Sequence, residues 1–148
     1  MPVDLERLRR LAAAEQGLAT VATVRPDGTV HASVVNAGVL DNPVTGHLSV
    51  AMVIRGNARK LELFRTHGHA TVVFRRGWEW VSVQGSTHLI GPDDPDPDFP
   101  YSELPQLLRD IFTAAGGTHD DWDTYDKVMA EQRRTAVFVE PARLSGNP

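Results

Sequence analysis

The run Leu48-Ser-Val-Ala-Met-Val-Ile54 leads without a break into Arg55-Gly-Asn-Ala-Arg-Lys60, and then into Leu61 and Phe64 at helical spacing. A strand that hands over directly to a helix cannot close a hairpin at that point, so the next strand has to be reached by a crossover. Three cations sit at the handover. A helix N-terminus presents unpaired backbone N–H groups and a partial positive charge, so Arg55, Arg59 and Lys60 read either as a phosphate site or as a solvated basic turn.

The rest of the chain places this junction among antiparallel strands. Leu5, Leu8, Leu11 and Ala12 recur at helical spacing within residues 3–15, with Arg7, Arg9 and Arg10 on other faces, which predicts an amphipathic helix ended by Gly17. Leu18 to Val24 is short and β-branched, and Pro26-Asp27-Gly28 supplies the turn that returns the chain through Val30 to Val35. A loop from Asp41 to Gly46 precedes the strand at 47–54. Ala58 to His67 then reads as the crossover helix, with Asn57 as N-cap and Gly68 just past its end. Strand patterns resume at His69 to Arg75 and from Trp78 to Ile90, the second long enough to bend around a barrel, with Gly85 where a bulge or kink would relieve it.

Beyond the proline-rich acidic loop Gly91 to Asp98, Ser102 is expected to cap a helix whose apolar stripe is Leu104, Leu107, Leu108, Ile111 and Phe112. After Gly116-Gly117, Thr118 and Asp121 approximate a capping box for a helix carrying Trp122, Tyr125, Val128 and Met129. Thr135 to Val139 reads as a last strand. Six strands and about four helices suit a mainly β (α+β) fold: a small antiparallel barrel, 1–148 forming a single domain, with helices packed outside.

Composition narrows the chemistry. A 148-residue chain with 41 % apolar residues can bury one sizeable core, and a net charge of −4 argues against non-specific nucleic-acid binding. No cysteine is present, which removes disulfides, thiol catalysis and thiolate metal sites. No apolar run approaches the roughly 18 residues of a membrane span, so a soluble, cytoplasmic protein is expected. There is no Gly-x-Ser-x-Gly elbow and no identifiable base beside Ser33, Ser49, Ser82 or Ser86. The His67-Gly-His69 pair offers a metal reading, but a contact between His67 and a helix C-terminus suits it better; the aspartates at 93–98 lack the glycine and closing glutamate of an EF-hand. No metal is expected. Alternation puts Trp78 and Trp80 on one face of their strand, as core packing or as a border to a planar ring. Such a site has no acid–base pair of its own, and a cofactor would have to carry its chemistry.

Taken in order, the hairpin, the third strand, Arg55-Gly-Asn-Ala-Arg-Lys-Leu-Glu-Leu-Phe64, the strand containing Trp80-Val-Ser-Val-Gln-Gly85, and the late strand running from Arg134 to Asn147 resemble the pyridoxamine 5′-phosphate oxidase-like split β-barrel superfamily. Within it, Trp122 to Arg134 and the ending Pro141-Ala-Arg-Leu-Ser-Gly-Asn-Pro148 are most similar to the branch that uses the deazaflavin coenzyme F420. The resemblance implies a six-stranded split barrel, a homodimer with cofactor grooves between subunits, and a cofactor phosphate held by Lys60 with Arg55, Asn57 and Arg59 in support. It also implies that the second strand, at Ser33, Val34, Val35 and Asn36, lies along the ring system. Trp80 joins these as a cofactor-site candidate on the alternation alone, since the resemblance aligns neither Trp with a functional residue. The implied activity is hydride transfer between F420 and a conjugated small molecule. FMN is the alternative cofactor, in an oxidase of the pyridoxamine-phosphate-oxidase type, and a coenzyme-binding protein without turnover is the alternative role. An anionic F420 tail would find a basic groove in Arg55, Arg59, Arg65, Arg75 and Arg76, and no catalytic residue is identified.

Overall fold

The computed structural model describes residues 3–148. Its elements run α1 (Leu5–Ala14), β1 (Leu18–Val24), β2 (Val30–Asp41), β3 (Leu48–Ile54), α2 (Arg59–Thr66), β4 (His69–Arg76), β5 (Glu79–Ile90), a 3-10 turn (Tyr101–Glu103), α3 (Leu104–Ala114), α4 (Trp122–Glu131), β6 (Thr135–Val139) and β7 (Arg143–Gly146). Strands β4-β1-β2-β3-β6-β5 are neighbours in that order, and a further β4–β5 ladder closes the ring. The expected six-stranded antiparallel barrel is therefore present. A seventh strand, β7, adds to it.

That strand exists because β5 has an edge to spare. β5 pairs with β4 along residues 79–86, while its other edge takes β6 at 87–90 and β7 at 81–84. The chain passes from β6 to β7 through Glu140-Pro141-Ala142, with Glu140 N–H on Ser86 O and Ala142 N–H on Gln84 O. Gly85 lies under this crossing, where a Cβ would come within 1.6 Å of Glu140 O. The expectation of a special glycine here holds, and its cause is a close backbone approach. β2 also exceeds its predicted end at Val35. Gly38 lets α3 press onto the strand, with Ala114 and Ala115 backbone atoms 2.5–2.6 Å from a would-be Cβ.

Strand alternation sorts two apolar clusters. Val50, Met52 and Ile54 of β3 with Val137 and Val139 of β6 point into the barrel, where Leu8 and Leu11 of α1 and Leu61 and Phe64 of α2 join them. Ala51, Ala136 and Phe138 point outward against Leu104, Leu108 and Ile111 of α3 and Tyr125 of α4. β6 is thus buried on both faces, which accounts for its unbroken apolar sequence.

Three caps differ from expectation. Asn57 does not cap α2: a turn with Ala58 N–H on Arg55 O puts Ala58 at that position, and no side chain caps the helix. Ser102 lies inside the 3-10 turn, and α3 starts after Glu103. In α4, Asp121 is itself the N-cap, taking Thr124 N–H at 3.1 Å, so the box is Asp121-x-x-Thr124.

Two measurements follow from this packing. Gly85→Val should lower stability to urea by about 3 kcal/mol, because backbone cannot yield there, whereas Gly28→Ala, at φ +88° but with no atom within 4 Å of its Cβ, should cost about 1 kcal/mol. Tyr125 donates to Leu108 O at 3.1 Å and locks α4 to α3, and burial pushes its phenol from 10.0 up to about 12. The folded chain therefore keeps a proton that the unfolded chain loses above pH 10, and the stabilisation, complete below that value, is lost as pH rises through 12. Urea midpoints across pH 9–12 should fall more steeply for the wild type than for Tyr125→Phe.

Candidate functional site

The site is a gap in the barrel wall. Residues 30–36 of β2 pair with β1 and residues 37–41 with β3, on the opposite edge. Ala37 gives its N–H to Gly17 O on the β1 side. Main-chain groups of successive residues point to alternate edges, so those of Val34 and Asn36 face the edge that β3 has left. β3 meanwhile continues on β6 through Val53↔Ala136 and Ile54↔Thr135. The opened wedge holds a cavity of about 390 Å³, bounded by Val34 to Asn36 on one side and by Ile54, Arg55, Ala58 and Lys60 on the other. Ile111 and Phe112 of α3, Ala115 at its C-cap, and Tyr125 and Met129 of α4 form an apolar roof.

Its electrostatics are one-sided. Arg55, Lys60 and Arg134 line the cavity and no carboxylate does. Lys60 has no ion pair among the described residues, and burial holds its pKa below the usual lysine value. Arg134 is half-buried; its Nε donates to Gln132 Oε1 at 2.8 Å and one terminal nitrogen to Val53 O at 3.2 Å. Burial first, and the charge of Arg55 second, lower its pKa. Three cations with only neutral partners in a partly desolvated cleft favour an anion there, since an anion relieves both repulsion and desolvation. The uncapped first turn of α2 adds its N–H groups at the same end.

Among the sequence-derived candidates, Val34, Val35, Asn36, Arg55 and Lys60 line the cavity. The Asn36 amide nitrogen is engaged, bonding Gln16 O at 2.6 Å and Ala115 O at 3.0 Å. Ser33 lies one step away with its Oγ buried and unpartnered. Asn57 borders a separate surface recess with Arg55 and Arg133, and Arg59 turns to Glu62 at 2.7 Å. Trp80 does not line the cavity; it sits at the other end of β5, its N–H on Asn147 Oδ1, and Trp78 is 93 % exposed at the β4–β5 turn.

The expected basic groove does not form. Arg59 and Arg65 are neutralised by Glu62 and Asp94, and Arg75 and Arg76 lie at the far end of β4, leaving only Arg55 of the five at the cavity. The acidic loop is likewise engaged: Asp93 pairs with Arg133, Asp94 with Arg65 and Asp96 with His88. His67 and His69 stand with ring centroids 5.9 Å apart, and among the described residues no group of three or more His, Asp or Glu could hold a metal. Sequence reasoning gave Arg134 and the roof residues no place in the site. Their signal was an arginine placed just before a strand buried on both faces.

No family model matches the chain, and no curated protein matches it in sequence. Solved structures do match in fold. A protein named F420 reductase aligns at 15 % identity over 98 % of each chain with a TM-score of 0.63. A pyridoxamine 5′-phosphate oxidase-related FMN-binding protein from Nostoc punctiforme aligns at 12 % identity over 95 % of this chain and 79 % of its own, TM-score 0.61. The heme storage protein HutZ from Vibrio cholerae aligns at 11 % identity over 95 % of this chain and 92 % of its own, TM-score 0.57. At these identities the likeness establishes the fold alone, a split barrel common to proteins named for three different cofactors.

Proposed function

We propose that the chain is a cytoplasmic, homodimeric oxidoreductase that binds the deazaflavin coenzyme F420 and passes hydride between it and a conjugated small molecule. The observation that carries this reading is the gap at β2: an open strand edge and an apolar roof face each other, with cations that no carboxylate neutralises at one end. A planar ring fits between a strand edge and aromatic side chains, and a phosphate fits the cationic end. Lys60 and Arg55 would hold that phosphate, with Arg134 behind them. Main-chain groups of Val34 and Asn36 would meet the polar edge of the ring, and the buried Oγ of Ser33 is a further donor without a partner. When bound, the coenzyme supplies the hydride chemistry; the protein binds, orients and excludes water. FMN meets the same ring and phosphate requirements and is the alternative occupant.

The second copy is supported by an exposed apolar face beside the gap. Leu18, Val30 and Val34 are 52 %, 58 % and 68 % exposed, and alternation puts them with Ala32 on the outer side of the β1–β2 hairpin. A like face from a partner would cover them and wall the cavity.

Lys60→Ala should weaken F420 binding by about tenfold or more, the loss of one charge-assisted contact, in a fluorescence titration, while leaving the circular dichroism spectrum unchanged. Unaltered affinity would sink the phosphate assignment. The absorbance of the purified protein separates the cofactors, because tightly held FMN copurifies as a yellow species. Oxidation of reduced F420 with conjugated acceptors separates an enzyme from a carrier. Val30→Glu should convert a dimer to a monomer in light scattering; a monomeric wild type would remove the second copy from the reading.

A further inference from the structure

Met129 and Arg134 form a partition. On one side is the cavity described above; on the other, between α3 and α4, is a second cavity of about 230 Å³ that the same two side chains also line. Leu104, Pro105 and Leu108 of α3 and Ala130 of α4 make its wall, with Tyr101 and Ser102 at one end. Two charged side chains reach it. Asp126 is engaged at both oxygens by Arg109, at 2.9 and 2.5 Å. Arg134 is not: its Nε and one terminal nitrogen meet the neutral acceptors Gln132 Oε1 and Val53 O, and its second terminal nitrogen has no hydrogen-bond partner among the described residues. The cavity is therefore a hydrocarbon slot with one unneutralised guanidinium.

We propose that this α3–α4 cavity binds a small amphipathic monoanion, a carboxylic acid with a short apolar chain or a single ring, its carboxylate on Arg134 and its hydrocarbon between Leu104, Leu108 and Ala130. The volume equals about eight waters at roughly 30 Å³ each, which sets the size of the chain. A guanidinium presents paired N–H donors suited to a carboxylate, and each methylene buried in the slot adds to the affinity. A neutral apolar molecule would leave the guanidinium without a counter-charge. A phosphate finds three cations in the neighbouring cavity and one here. The site stands whichever cofactor the first cavity takes. Because Arg134 borders both, an anion on it lowers the positive potential of the first cavity, and by linkage each occupant weakens the other.

Octanoate and its uncharged counterpart 1-octanol, titrated into the full chain by calorimetry, test the proposal. Octanoate should bind about tenfold or more tightly than octanol, as one charge-assisted contact predicts. Arg134→Gln should abolish that preference. Ala130→Phe, at an exposed position on the wall of the slot, should weaken octanoate by about tenfold or more, with thermal melts showing that both variants fold. Lys60→Ala should leave octanoate binding within about twofold, since Lys60 lines only the first cavity. Equal affinity for octanoate and octanol overturns the proposal, and so does full octanoate affinity in Ala130→Phe. Loss in Lys60→Ala as large as in Arg134→Gln puts the anion in the first cavity and overturns it too. Absence of saturable octanoate binding below about 10 mM does the same.

Discussion

Everything distinctive about this barrel depends on β2 changing neighbours at Ala37. A strand that kept one partner on each edge for its whole length would seal the wall. Here β1 takes one edge up to Asn36 and β3 takes the other from Ala37 onward. The switch is held from both sides. Gly17 O receives the Ala37 N–H, and α3 presses onto the strand at Gly38, where only a missing side chain permits the approach. Across the gap, Leu61 and Phe64 anchor α2 in the barrel core, so the helix cannot slide over to close the edge. Unpaired main-chain groups at a strand edge carry a desolvation cost unless water or a ligand meets them. Here the open edge faces the cavity beneath the apolar roof, where water or a ligand can meet it.

The charges around the gap follow a pattern that identity alone does not reveal. Arg10, Arg59, Arg65, Arg109 and Arg133 each find a carboxylate, four of them on a different segment of the fold. Arg55, Lys60 and Arg134 do not, although the chain carries 19 acidic residues against 15 lysines and arginines. Arg9, Arg25, Arg75, Arg76, Lys127 and Arg143 also lack an ion pair among the described residues, so what sets these three apart is that they share one cavity whose lining holds no carboxylate.

Much of the barrel was legible because its signals are local. The β-branched run at Leu18 to Val24, the turn at Pro26-Asp27-Gly28 and the helical spacing of Leu61 and Phe64 each specify their element within a few residues. The second half of β2 was not, because nothing local to Gly38 shows that α3 presses on it, and the late strand read from Arg134 to Asn147 proves to be two, β6 and β7, divided at Glu140-Pro141-Ala142. Among the candidate site residues, Lys60 and Arg59 are adjacent and chemically alike, yet one faces the cavity and the other closes on Glu62. Arg65 lost its place in the basic groove to an aspartate 29 residues away. Sequence shows which side chains are cations; only the fold shows which cations remain unneutralised.

The same geometry limits where a proton can come from. Tyr125 lines the roof, but its hydroxyl is committed to Leu108 O and its proton is held to about pH 12. Burial holds both the Lys60 ammonium and the Arg134 guanidinium below their usual pKa values. An anion beside the ammonium favours its charged form and reverses the shift that burial produced. Holding a phosphate and giving up a proton are therefore opposed demands on one nitrogen. On the reading proposed above, in which Lys60 holds the phosphate, Lys60 would then serve as a binding group and the proton would have to come from another source.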